Sequence, residues 1–210
     1  MTDQPPSVTV APSSLVHQPV SILDRLELTA LFPSAQPLEV ELGSGDGSFL
    51  AQWAKLNPDR NFIGVERLLG RLRKLDRKAR HAGLTNLRLI RLEAAYFIEF
   101  LLPSASVTTL HVYFPDPWPK RKHRRHRLVN EHFTTIAAQA LVTGGMIFLR
   151  TDDADYFAQM QSVFGAHRQF RSVATSAQLS AVQTDFERGF GERGVPTLRA
   201  AYQLLARANT

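Results

Sequence analysis

The segment Leu38-Glu39-Val40-Glu41-Leu42 alternates apolar and acidic residues, runs into Gly43, Gly45 and Gly47, and is followed by a helical stretch over 49–56. A strand, a glycine turn and a helix in direct succession leave few architectures open, and the chain repeats that rhythm. A strand-like run over 61–66 leads to Leu68, Leu69, Leu72, Leu75 and Ala79 at helical spacing, stopped at Gly83. Strand-like runs over 87–92, 107–114 and 146–150 precede helical patterns over 94–102, 128–141 and 156–164. Two further strands are predicted over 170–174 and 198–206, joined by a glycine-containing connection. Strands that alternate with helices imply right-handed βαβ crossovers. The expected fold is therefore α/β, with a mostly parallel seven-stranded sheet and helices on both faces.

At 210 residues the chain suits one ordinary domain. The first twenty residues hold no Lys or Arg but four prolines, at positions 5, 6, 12 and 19. They are read as a flexible segment over 1–21 ahead of a single domain over 22–210. They lack the basic start and apolar core of a secretory signal. The longest apolar-rich run, over 140–149, is too short to span a bilayer. A cytoplasmic protein with no membrane partner is expected. The absence of cysteine excludes disulfides, thiolate-bound zinc and cysteine nucleophiles.

In sheets of this kind ligands sit beyond the carboxyl ends of the strands, so the residues there come first. The dinucleotide pattern G-x-G-x-x-G is nearly met over 43–48, but the third glycine arrives one residue early and Ser48 takes its place. Glu41 stands two residues before the first glycine. A carboxylate there suits a ligand carrying an ammonium and a sulfonium better than a pyrophosphate, which points to S-adenosyl-L-methionine. Glu66 and Glu93 close the second and third strands, where acids meet ribose hydroxyls or the adenine edge. A ligand-free glycine turn, a nicotinamide dehydrogenase and a non-catalytic RNA-binding module stay open on these residues alone.

Residues 113–120 read Tyr-Phe-Pro-Asp-Pro-Trp-Pro-Lys. Proline at every second position removes three N–H donors and is expected to push Phe114, Asp116 and Trp118 into extended conformations. The resulting stiff loop would hold Asp116 toward the N–H edge of a guanine and Trp118 toward a base face. The next stretch, 120–127, carries six Lys and Arg in eight residues with no acid. Phosphates are the natural counterions of such a run. The net charge of +6 is unevenly placed: 120–127 contributes +6, 67–80 another +6, and the rest of the chain −6. The second basic strip flanks the leucine stripe of its helix and reads as a solvated face.

On these residues the chain resembles the bacterial tRNA (guanine-N7-)-methyltransferase family over most of its length. The most specific shared part is Phe114-Pro115-Asp116-Pro117-Trp118 followed by Lys120 and the basic cluster. The resemblance implies a Rossmann-like methyltransferase fold and S-adenosyl-L-methionine as cofactor. Glu41, Glu66, Glu93 and Asp116 would hold that cofactor together with the glycines Gly43, Gly45 and Gly47, and Asp116 would be catalytic. Lys120, Asp152, Thr184, Asp185, Phe186 and Glu187 match substrate-contacting positions. Lys122, His123, Arg124, Arg125, His126 and Arg127 match a segment implicated in RNA contact. Departures are Glu93 where Asp is frequent, Lys122 and His126 where Arg is common, and Phe186 where Tyr is frequent. The implied reaction methylates N7 of guanosine 46 in the tRNA variable loop, with no metal. Monomer and homodimer are equally compatible with the pattern.

Overall fold

The structure is a computed structural model that describes residues 14–206. One eight-stranded sheet runs through it. In chain order the elements are β1 (Val16–His17), β2 (Leu38–Leu42), α1 (Leu50–Leu56), β3 (Asn61–Val65), α2 (Leu69–His81) and β4 (Leu87–Ile90). A short α3 (Ala94–Tyr96) continues as a π-helical turn, Phe97–Leu101. Then follow β5 (Val107–Tyr113), α4 (Glu131–Ala140), β6 (Leu141–Thr151), α5 (Ala154–Ala166) and β7 (Phe170–Val173). The chain closes with α6 (Ala177–Ala181), α7 (Asp185–Gly191) and β8 (Leu198–Leu204). The strand order is β1-β4-β3-β2-β5-β6-β8-β7, parallel except where β8 inserts antiparallel to both β6 and β7.

The seven expected strands are all present, and β1 makes the eighth. It comes from the segment read as flexible over 1–21. The Leu15 N–H donates to Asp76 Oδ1 at 2.8 Å, its carbonyl accepts from the Leu89 N–H at 2.9 Å, and its side chain is buried. Those contacts draw residues 16–17 onto the free edge of β4. Residues 1–13 lie outside the described residues. The glycine-containing connection between the last two predicted strands contains α6 and α7. Ser176 and Thr184 cap these helices, each accepting a hydrogen bond from a backbone N–H of the first turn.

Apolar side chains cover the sheet on both faces. Val40, Leu42, Ile63, Val65, Leu110 and Val112 face α3, α4 and α5, while Phe62, Leu87 and Leu89 pack with Phe49, Trp53, Leu72 and Leu75 from the α1–α2 side. Every residue of β2 is buried, so the two acids of Leu38–Leu42 lie inside the molecule. Glu39 is fully engaged: its carboxylate accepts from Trp53 Nε1 at 2.8 Å and Arg60 at 2.9 Å, and it meets His111 Nε2 at 2.8 Å. Burial pushes its carboxyl up, but the His111 and Trp53 hydrogen bonds and the Arg60 charge outweigh that and hold it below the usual carboxylate range.

The turn after β2 depends on one glycine for packing. Gly47 has φ +75°, and a Cβ there would overlap Leu75 Cδ1 and lie 2.7 Å from its Cγ. Gly47→Ala combines a left-handed backbone with overpacking against α2. It is expected to lower stability by about 2–4 kcal/mol, read as a shifted urea midpoint at unchanged m-value.

Candidate active site

The carboxyl ends of β2 to β6 form the site. Gly43 and Ser44 both donate their N–H groups to the Val65 carbonyl at 2.9 Å, and the Gly47 N–H closes a turn onto Ser44 O at 2.9 Å. Gly43 and Gly45 have φ of +82° and +57°, and a Cβ on either would meet nothing within 4 Å. The loop therefore presents bare backbone to open space. Glu66 braces it, accepting the Gly45 N–H at 3.0 Å and the Leu68 N–H at 2.7 Å. Ser48 accepts the Asp185 N–H at 2.9 Å and so ties the loop to the start of α7. A third glycine at that position would lose the tie.

Two cavities open here. The first, about 300 Å³, is walled by Glu41, the glycine loop, Thr184, Asp185 and Phe186. The second, about 390 Å³, is walled by Glu66, Glu93, Asp116, Trp118 and His126. They share Gly43, Arg71, Tyr113 and Phe114. The four acids singled out in the sequence are thus divided, Glu41 in one cavity and the other three in its neighbour. Glu93 also caps α3, its carboxylate accepting the Tyr96 N–H at 2.8 Å.

Two buried polar atoms in the first cavity wall lack a partner among the described residues, Glu41 Oε2 and Ser44 Oγ. Burial pushes the Glu41 carboxyl well above its ordinary value; Arg150 opposes this, and Glu66 and Asp46 add to it. An unpartnered buried carboxylate costs free energy that a cation in the cavity would recover. Together with the bare glycines, this suits the methionine half of S-adenosyl-L-methionine, whose ammonium and sulfonium are both cationic.

Arg150, which the sequence reading passed over, sets the far wall. It is fully buried at the end of β6, donating to Val182 O at 2.8 Å, Leu179 O at 2.7 Å and Glu187 Oε2 at 2.7 Å. Its guanidinium lies over the Tyr113 ring at 4.2 Å. A charge inside the apolar run over 146–150 was the available signal. This clamp also redefines two expected substrate contacts. Glu187 is spent on Arg150, on Arg199 at 2.9 Å and on the Thr184 N–H at 2.8 Å, while Thr184 Oγ1 accepts the Glu187 N–H at 3.0 Å. Glu187 is buried in that network, takes no part in either cavity wall and positions α7. Thr184 keeps a place in the first cavity beside Asp185 and the half-exposed Phe186. Asp185 also pairs with Arg188.

The proline loop departs from its expected shape. Phe114 and Trp118 have φ of +50° and +45°, left-handed values rather than extended ones. Phe114 is held by its N–H on Arg150 O at 2.8 Å and by packing against Phe186 and Phe190. Trp118 packs on His123 and His126. These tertiary contacts override the pre-proline preference, and strain of this kind gathers at functional sites. Asp116, between the two strained residues, is exposed, and its carboxylate makes no hydrogen bond among the described residues.

The basic run forms a 3₁₀ segment, Arg121–His126. Lys120, Lys122, Arg124 and Arg125 are exposed, His123 is half-buried, and His126 reaches the second cavity. Arg127 differs from the rest of the run. It is fully buried, donating to Pro117 O at 2.7 Å, Gln159 Oε1 at 2.9 Å and Asp155 Oδ2 at 2.6 Å, with Tyr156 under its guanidinium. Its hydrogen bond to Arg127, aided by the charges of Arg124 and Arg127, holds Asp155 below the usual carboxylate range. Arg127 is the anchor of the proline loop. Arg127→Ala should leave the basic run in place but loosen the loop, visible as faster proteolysis near residue 117 and a Tm lowered by several degrees. Lys120 and Asp152 lie close in sequence to the site but line neither cavity.

Residues 35–200 match the methyltransferase family model Methyltransf_4. A tRNA (guanine-N(7)-)-methyltransferase of Rubrobacter xylanophilus is 34% identical over 82% of this chain and 78% of its own length. Its counterpart in Halorhodospira halophila is 35% identical over 70% of this chain, and that of Paenarthrobacter aurescens 38% identical over 69%. The chain spans only 64% and 48% of those two relatives. Among solved structures, the 16S rRNA methyltransferase KamB aligns with a TM-score of 0.61 at 16% identity, covering 86% of this chain and 93% of that one. An RNA methyltransferase of Salinibacter ruber, in complex with S-adenosyl-L-homocysteine, aligns with a TM-score of 0.50 at 14% identity, covering 82% and 83%. With a Rossmann-like sheet, the glycine loop after its second strand and these relatives, the chain belongs to the Methyltransf_4 methyltransferase family.

Proposed function

We propose that this protein is a cytoplasmic enzyme that transfers the methyl group of S-adenosyl-L-methionine to N7 of guanosine 46 in the variable loop of tRNA. The observation that carries the reading is the unpartnered Glu41 carboxylate beside Gly43 and Gly45, in a cavity that meets the Asp116 cavity at Phe114. When bound, S-adenosyl-L-methionine supplies an electrophilic methyl group on its sulfonium. Glu41 and the loop around Gly43 would hold the methionine half, Glu66 and Glu93 the adenosine half in the adjoining cavity. Guanine N7 has an in-plane lone pair and no proton, so the chain must align and desolvate the base rather than deprotonate it. Asp116 can accept from the guanine N1–H and N2–H₂ groups and fix the direction of N7. Phe114, Phe186 and Phe190 offer aromatic surface next to it. Lys120, Arg124 and Arg125 would meet tRNA phosphates, and Asp152 would act from the edge of the site.

The test is incubation with S-adenosyl-L-methionine and unmodified tRNA, followed by chemical strand scission at 7-methylguanosine. Cleavage at position 46 is expected, and its absence with intact S-adenosyl-L-homocysteine binding would assign the site to another acceptor. A second expectation concerns pH. The raised carboxyl of Glu41 means the folded state holds a proton that the unfolded chain has released. Its contribution to stability is full below the ordinary carboxylate range and is lost as pH rises through the raised value. Glu41→Gln should therefore flatten the fall in urea midpoint from acidic to neutral pH and weaken S-adenosyl-L-homocysteine binding in calorimetry.

A further inference from the structure

The outer face of α2 carries a second set of cations that the reaction does not use. Arg67, just before the helix, and Arg71, Arg73, Lys74 and Arg77 within it are exposed, and none has a carboxylate within ion-pair distance among the described residues. The remaining cations of that strip are neutralised, Lys78 by Asp46 at 3.3 Å and Arg80 by Asp76 at 3.0 Å. Four of these five cations, Arg67, Arg71, Arg73 and Lys74, therefore sit at the N-terminal part of the helix, which is the part at the site. There they also oppose the positive end of the helix dipole, an arrangement that costs stability unless an anion covers it.

Position in the fold separates this strip from an ordinary solvated face. Arg67 and Arg71 line the second cavity together with Asp116, Trp118 and His126. Arg71 and Lys74 line the first. The two basic elements, each +6 over its stretch of sequence, thus reach the same cavity, one through Arg67 and Arg71 and the other through His126. A polyanion that places one nucleotide at Asp116 must run past one or both of them. We propose that the exposed face of α2 is a second phosphate-binding surface, which takes the RNA backbone on the side of the target base away from the 3₁₀ segment. This inference rests on the reading of the site as an RNA methyltransferase. The 13-residue helix is about 20 Å long, enough to lie along several phosphates of one strand. Arg73 and Arg77, one turn apart and outside both cavity walls, are the cations that serve this surface alone.

The test compares wild type with Arg73→Glu/Arg77→Glu and with the milder Arg73→Gln/Arg77→Gln. Both residues are exposed, so neither change removes core packing. Binding of unmodified tRNA is measured from about 50 to 200 mM salt, S-adenosyl-L-homocysteine binding by calorimetry, and methylation under steady-state conditions. The neutral variant is expected to raise the tRNA Kd on the order of tenfold and to reduce the log–log salt slope by about 2. The reversed variant should raise Kd further, with KM rising, kcat at saturating tRNA unchanged and S-adenosyl-L-homocysteine affinity unchanged. A wild-type enzyme that methylates tRNA, beside variants with unaltered Kd and slope, overturns the α2 surface and leaves the reaction standing. A wild-type protein that neither binds nor methylates tRNA overturns both.

Discussion

Asp116→Asn is expected to fold like wild type and to lose methylation by a factor on the order of 10²–10³, the range seen when one preorganised polar group is removed from a reacting centre. The fold should not notice the change. Asp116 is exposed, makes no hydrogen bond within the described residues, and sits in a loop fixed by Pro115, Pro117 and Pro119 on one side and by Arg127 on the other. The chemistry should notice it strongly. A carboxylate presents two acceptors to the N1–H and N2–H₂ donors of guanine, whereas an amide presents one acceptor and turns its own donor on the second N–H. The loss belongs in kcat as well as KM, because a base held at one point rather than two no longer keeps N7 in line for attack. Single-turnover methylation at saturating tRNA, with Tm and S-adenosyl-L-homocysteine affinity measured alongside, separates these effects. Wild-type turnover would remove Asp116 from its proposed role.

The βαβ rhythm, the glycine loop and the strand-end acids could be read from sequence because each rests on local rules. Periodicity, positive φ at glycine and residues at strand ends need no knowledge of distant neighbours. What escaped was decided by long-range contacts. The sequence shows Arg127 as one of six like charges within eight residues, yet Asp155, Gln159 and the Pro117 carbonyl converge on it and draw it inside. Prolines alone predict extended neighbours, yet Arg150 O and the rings of Phe186 and Phe190 hold Phe114 at positive φ. Thr184 and Glu187 look like polar site residues and are the two halves of a capping box, which leaves Thr184 in the cavity wall and Glu187 buried behind it. Residues 16–17 lie in a proline-rich stretch and join the sheet because Asp76, on a helix sixty residues away, accepts the Leu15 N–H.

Arg150→Met is the substitution expected to cost most stability, about 3–4 kcal/mol, or roughly 6–16 °C in Tm for a chain of this size. The guanidinium supplies donors to two backbone carbonyls and one carboxylate, all buried, and Met satisfies none of them. Leaving such acceptors unpaired carries their full desolvation cost. Two features keep the loss from being larger. Glu187 retains Arg199 and the Thr184 N–H, so its charge is not stranded, and Met can keep the packing over Tyr113 and Phe49. The damage should also reach the ligand site. Without Arg150 the α6–α7 segment loses its link to the sheet, and with it the wall formed by Thr184, Asp185 and Phe186. Glu41 loses the Arg150 charge that opposes the upward shift of its carboxyl, so it should be more fully protonated and attract a cationic ligand less. S-adenosyl-L-homocysteine affinity should fall in step with stability and partly recover at higher pH, as Glu41 ionises. Glu187→Gln tests the same clamp from the other side. Its amide oxygen can still accept from the Thr184 N–H and preserve the capping box, and Arg199 is free to turn to solvent. It should therefore cost less than half as much as Arg150→Met, because what holds this wall is the set of donors on Arg150 and only secondarily the charge of its partner.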